Sequence, residues 1–216
     1  MRSNENIVKA VEPAAREYFA DARGSHGWDH VLRVLHLCEH IGREDGLDMT
    51  VLRLAALLHD VGRSQSDRQG GATCHAALGA DIAREVLLKA GAGEVLIENV
   101  VHCVAAHRFR GGVAPESPEA KALFDADKLD GIGAVGIGRA FQFAGEVGAR
   151  LHDPDVDIDK TQSYSQDDTA YREYLVKLRH VKERMLTAAG KRIAGERHAF
   201  MEEFFGRLNA EVMGDM

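Results

Sequence analysis

Three features of this chain of 216 residues predict an all-α fold. Ala, Leu, Glu, Arg and Lys are abundant and β-branched runs are rare, and the abundant types have high helix propensity. Proline occurs only 4 times, so few positions forbid a helix. Apolar residues also recur at i, i+3, i+4 spacing, the period of a helix face. At 45% apolar residues the chain can build a core, which excludes wholesale disorder. The length suits one domain with a modest helical extension, and no internal repeat or clear linker interrupts it. A single domain over 1–216 is expected, with a core at about 20–150 and additional C-terminal helices at about 168–213.

Residues 5–22 have helical periodicity that ends near Gly24. Ser25 is placed to cap a second helix running to about Gly46, in which Val31, Val34, Leu35, Cys38 and Ile41 form an apolar stripe. A third helix is expected from Asp48 to Asp60 and Val61, with Gly62 following. Residues 63–73 are rich in Ser, Gln, Asp and Gly and read as a mobile loop. Helices are predicted at 75–90, 93–108, 117–130 and 134–149, then an acidic irregular loop over 150–168. Two helices, near 168–187 and 190–213, complete the chain.

The formal charge of −7 disfavours a broad nucleic-acid surface, because an acidic chain repels the phosphate backbone. A small phosphorylated substrate remains compatible, since a bound metal reverses the local field. The 3 cysteines, Cys38, Cys74 and Cys103, are odd in number and form no CxxC, which argues against a disulfide framework or a thiolate zinc site. The first residues are polar and lack a signal-peptide core, and no apolar run approaches ~18 residues. A cytoplasmic protein without a membrane partner is expected, and its oligomeric state is left open.

The strongest local signal is Leu54-Ala55-Ala56-Leu57-Leu58-His59-Asp60-Val61-Gly62. An apolar helix here ends in two adjacent ionisable residues, which are costly to bury without partners. Asp60 would also face the negative end of the helix dipole. A bound cation relieves both problems; the alternative is a solvent-exposed helix end. His26 and His30 lie four apart and share a helix face, with Arg33 beside His30 and Asp29 placed to orient a ligand. His36, His40, His102, His152, His180 and His198 read as ordinary core or surface residues. In Leu123-Phe124-Asp125-Ala126-Asp127-Lys128-Leu129-Asp130 three carboxylates sit in an otherwise apolar helix, so they should be paired or metal-bound. Lys128 is the ordinary candidate partner.

The order His30, His59-Asp60, Asp127 resembles the H…HD…D signature of the HD superfamily of metal-dependent phosphohydrolases. The words "HGWDHVLRV", "AALLHDVGR", "HAALGADIA", "DADKLDGIGAVGIGRAF" and "LTAAGKRIAGERHAFMEEF" extend the likeness over roughly residues 20–210. Together they are similar to the stand-alone bacterial HD hydrolases that include nucleoside triphosphate pyrophosphohydrolases. The resemblance implies an HD-domain helical bundle and a divalent metal held by His30, His59, Asp60 and Asp127. Such imidazole and carboxylate ligands suit Mn, with Fe, Co, Ni, Zn or Mg as alternatives. His75 and His107 have three open readings: ligands of a second metal, as in some HD subfamilies; phosphate contact or proton transfer; or packing.

Other motifs fail on inspection. Gly131-Ile-Gly133-Ala-Val-Gly136 matches GxGxxG, but it follows an acid-bearing helix rather than a strand and reads as close packing. Asp153-Pro-Asp155-Val-Asp157 resembles an EF-hand start, yet Ile158 replaces the required Gly and Tyr164 stands where the bidentate Glu belongs. Segment 104–115 lacks the GYP-type signature of cyclic-di-GMP phosphodiesterases. The basic residues of the tail, Lys177, Arg179, Lys182, Arg184, Lys191, Arg192 and Arg197, read as a largely solvated face.

The expected activity is hydrolysis of a nucleotide-like substrate, with release of pyrophosphate from a nucleoside triphosphate favoured by the resemblance. Asp60, His75, His107 and Lys128 are the catalytic candidates, and Arg33, Arg63 and Lys128 the candidates for binding phosphate. The rivals are a nucleoside monophosphate phosphatase and a non-catalytic nucleotide sensor.

Overall fold

The computed structural model describes residues 3–20, 26–70, 73–108 and 112–215. It is built of helices, and no strand occurs among the described residues. No described helix is long and apolar enough to cross a membrane. The chain divides into two compact units, Met1–Asp127 and Lys128–Met216.

The first unit starts with α1 (Asn4–Glu17), which Ser3 caps by accepting from the Asn6 amide. Helix α2 (Trp28–Asp45) follows Gly27 and stops at Gly46, whose φ of 67° ends the helix in the left-handed conformation that glycine tolerates best. Ser25, the expected cap, lies outside the described residues, as does Gly24. Asp48, where the third helix was expected to start, caps α3 (Met49–Leu58): its Oδ1 accepts from Thr50 N at 2.8 Å and Val51 N at 3.1 Å. Helix α3 is the centre of the unit. Leu52, Leu54, Leu57 and Leu58 are almost wholly buried, each worth about 1.5–3 kcal/mol, and the helix packs on α1, α2 and α6.

Residues 63–68 are helical, where a loop was expected: α4 spans Arg63–Arg68. Such a short polar helix has little stability of its own. It is anchored at its start by Arg63 N donating to Asp60 O at 2.9 Å and within its length by Ser66 Oγ donating to Thr73 O at 2.7 Å. Gly71, part of the expected mobile loop, is outside the described residues. Helix α5 (His75–Ala90) pairs with α6 (Glu94–Ala106), and α7 (Pro118–Leu129) brings Asp127 as the last residue of the unit. Glu119 ties the start of α7 to α3 by accepting from Asp48 N at 3.1 Å.

In the second unit, α8 (Gly133–Glu146) and α9 (Ala170–Val176) pack together, and α10 (Ala188–Met213) packs on α8. Tyr171, Tyr174, Phe204 and Phe205 form an aromatic cluster. The expected single helix over 168–187 is split into α9 and a 3-10 segment, Leu178–Arg184. No Gly or Pro marks the break, while Leu178 and Met185 at its two ends are buried. The loop over 150–168 is irregular as expected, apart from a 3-10 turn at Ile158–Lys160. The buried Arg172 holds it by donating to Asp168 at 2.7 Å and to Thr161 at 2.5 Å. In the GxGxxG run, a side chain at Gly136 would collide with the backbone of Gly131, and one at Gly133 would meet Arg197. This is close packing and carries no dinucleotide site.

Candidate metal centre

The apolar run of α3 delivers His59 and Asp60 to the interior: His59 is 0% exposed and Asp60 2%. His59 is the residue that closes α3, and its Nδ1 donates to Ala56 O at 2.8 Å, one turn back. A carbonyl can only accept, so this bond leaves the Nε2 lone pair of His59 facing inward. His30, buried in the first turn of α2, presents its Nε2 3.2 Å from His59 Nε2 and 3.4 Å from Asp127 Oδ1. The four residues that sequence alone assigns as ligands, His30, His59, Asp60 and Asp127, therefore meet in the first unit. Asp60 Oδ2 lies 3.9 Å from His30 Nε2 and 3.8 Å from His59 Nε2.

The other oxygen of Asp60 faces a second group. His75 Nε2 lies 3.6 Å and His107 Nε2 3.5 Å from Oδ1. His75 is the first residue of α5, and His107 closes α6, where its Nδ1 donates to Val104 O at 2.6 Å. Asp60 thus stands between two lobes, each with histidine donors. Among the described residues, three sets have donor atoms within 4.8 Å of one another: His26, His30 and Asp60; His30, His59 and Asp127; and Asp60, His75 and His107.

Gly62 sets the position of the second lobe. A side chain there would run into His75 O and Gly79 N, so α5 approaches the turn after Asp60 closely only because residue 62 is glycine.

The electrostatics favour ionised acid and neutral imidazole. Burial pushes the Asp60 carboxyl up, but the His59 and His107 rings and the Arg63 guanidinium pull it well below the ordinary carboxylate range. Burial lowers His59 to about 4. Burial, together with the charge of Arg63, lowers His75 to about 3. Neutral imidazoles and an ionised carboxylate are the states a cation requires. The donor set therefore fits a divalent first-row metal.

Arg63 meets Asp60 through both oxygens, from Nε to Oδ2 at 2.7 Å and from Nη2 to Oδ1 at 3.2 Å. Arg33 is turned to Asp29, with Nη1 2.6 Å from Oδ2, so the Asp29 carboxylate holds an arginine. Lys128 follows Asp127 on α7 and is half-buried; a helix turns about 100° per residue, so the two leave the helix in different directions. His26, to which no role was assigned from sequence, enters the site: its Nδ1 is 3.7 Å from Asp60 Oδ2 and its ring lies against that of His30. Its four-residue spacing from His30 was the available signal. Spacing alone could not distinguish it from an ordinary surface histidine, because His26 precedes the regular part of α2.

The family model for the HD domain matches residues 27–132, the segment that carries all four candidate ligand positions. YpgQ of Bacillus subtilis is 35% identical over 211 residues, spanning 96% of this chain and 94% of that one. The chain belongs to the HD-domain family. In enzyme class this HD protein is a hydrolase. The crystal structure of Bacillus subtilis YpgQ in complex with ADP superposes with a TM-score of 0.74 and 27% identity, covering 96% of both chains. A structure described as a predicted HD-superfamily hydrolase, from an uncultured Thermotogales bacterium, has a TM-score of 0.67 and 27% identity, covering 96% of this chain and 91% of that one.

Proposed function

We propose that this HD protein is a metal-dependent phosphohydrolase that cleaves nucleoside triphosphates between the α- and β-phosphates, giving monophosphate and pyrophosphate. The observation that carries the reading is the convergence of the buried His30, His59 and Asp60 with the half-buried Asp127. Nucleotide chemistry is supported by the ADP complex of YpgQ. Manganese is the first candidate metal, since two imidazoles and two carboxylates form a mixed nitrogen and oxygen set. When bound, a divalent ion polarises phosphate and acidifies water. The chain's own residues do the rest. His59 is held in one tautomer by Ala56 and His107 by Val104, so neither ring must reorganise to present its lone pair. Arg63, Arg33 and Lys128 are assigned to the phosphate charge, and His75 and His107 to phosphate contact or proton transfer.

The test is product identity. A panel of nucleotides is incubated with excess Mn²⁺ and the products are resolved by chromatography and phosphorus NMR. Monophosphate and pyrophosphate are expected as first products. Orthophosphate with diphosphate would refute α–β cleavage. Turnover of monophosphates alone would select the nucleotidase, and binding without turnover the sensor.

A further inference from the structure

The two lobes around Asp60 differ in what already occupies their donors. In the first, the lone pair of His59 meets Nε2 of His30 at 3.2 Å, an imidazole that can withdraw its proton by changing tautomer, and Asp60 Oδ2 accepts from Arg63 Nε at 2.7 Å. In the second, Nη2 of Arg63 lies 3.2 Å from Asp60 Oδ1 and 3.3 Å from His75 Nε2. A guanidinium can only donate, so His75 Nε2 is the acceptor in that contact, and a neutral imidazole offers one lone pair. The carboxylate has about four acceptor sites and can serve Arg63 and a metal together; the His75 nitrogen cannot. Arg63 also brings a permanent positive charge to the lobe, which opposes entry of a dication.

The placement of Arg63 is built into the chain. It is the first residue of α4, its amide is bonded to Asp60 O, and its side chain is 25% exposed. His75, at the start of α5, is brought beside it by the close approach at Gly62. We propose that Arg63 is a resident cation of the second lobe. It meets both Asp60 oxygens, which have acceptor sites to spare, and takes the one lone pair of His75, and so fixes the chain at one metal ion, although Asp60, His75 and His107 form a three-donor set of their own. This rests on the reading that the first lobe holds a metal. Arg63 is thus a residue that determines metal count, and His75 is freed for ligation only when Arg63 is absent.

The experiment is equilibrium dialysis of the whole chain against Mn²⁺, with bound metal measured by atomic emission and pairing of ions by electron paramagnetic resonance. The wild type should hold about one ion per chain. Arg63→Gln, which keeps an N–H donor but loses the charge, should hold about two, with the coupled spectrum of ions about 3.5–4 Å apart. Arg63→Gln combined with His75→Ala should return to about one. Two ions in the wild type, or one ion in an Arg63→Gln protein that keeps its helical circular dichroism, would overturn the proposal. No ion in any form would overturn both this proposal and the metal-dependent reading beneath it. Should Arg63→Gln lose its fold, His75→Ala in the otherwise native chain decides. Unchanged Mn²⁺ affinity is expected, and a loss of about tenfold or more would mean that His75 ligates beside Arg63 and would sink the idea.

Discussion

Asp60 carries more of this site than any other residue. Its two oxygens face different histidine pairs, and both accept from Arg63. Removing it takes away negative charge and coordination together, and leaves Arg63 half-buried without its carboxylate. Asp60→Ala is expected to lower metal-dependent turnover by at least about 100-fold, beyond what loss of an outer-shell partner costs. It should also destabilise the chain, by about 3–5 kcal/mol if the pair behaves as a fully buried one and by less given the partial exposure of Arg63. Helical circular dichroism should persist, because the core of α3 does not depend on the acid. Turnover near the wild-type level would exclude Asp60 as a ligand. At this scale the candidate set was legible: the words around His30, His59, Asp60 and Asp127 name residue types that are costly inside apolar helices, and the structure brings these four side chains together. His26 was not, because its approach to Asp60 depends on how the chain enters α2.

Among the elements, α5 and the turn after α3 are joined by a glycine contact, and His75 depends on it. Gly62→Ala places a methyl group against His75 O and Gly79 N, both backbone atoms that cannot swing aside. Overpacking of this kind costs about 1–3 kcal/mol. A domain of this size should then melt several degrees lower, at about 2–4 °C per kcal/mol. A thermal melt of the metal-free protein checks this, and an unchanged midpoint would show that α5 moves away freely. The long helices α2, α3, α5 and α6 could be read from periodicity and caps. Helix α4 could not, since its composition is that of a loop and its anchors, Asp60 and Thr73, lie outside it. The break at Lys177 was hidden because no Gly or Pro marks it, while Leu178 and Met185 beyond it are buried.

For the molecule as a whole, the buried imidazoles tie stability to pH. His59 and His75 titrate at about 4 and about 3 when folded, against about 6.5 in an unfolded chain. As pH falls below about 6.5 the unfolded state takes up protons that the folded state refuses, so stability declines with falling pH. The depressed Asp60 adds to the loss at lower pH, because its ionised form is favoured by folding. The melting midpoint of chelator-treated protein should therefore fall steadily from about pH 7 to about pH 4.5, and saturating Mn²⁺ should raise it at neutral pH. A midpoint that is flat or rises on acidification would show that these rings are not held neutral.

The sequence by itself determined the helical class, the chain order of the candidate ligand residues and the mismatch of charge and apolar setting that marks them. Those are properties of short segments, where period, caps and the cost of burying ionisable groups act locally. Tertiary structure alone decided which oxygen of Asp60 faces which histidines, that Arg63 reaches His75 across twelve positions of sequence, and that a glycine holds α5 against the turn. These are contacts between segments packed through separate faces. Their geometry depends on how the helices close on one another, and a one-dimensional pattern of residue types leaves that closure undetermined.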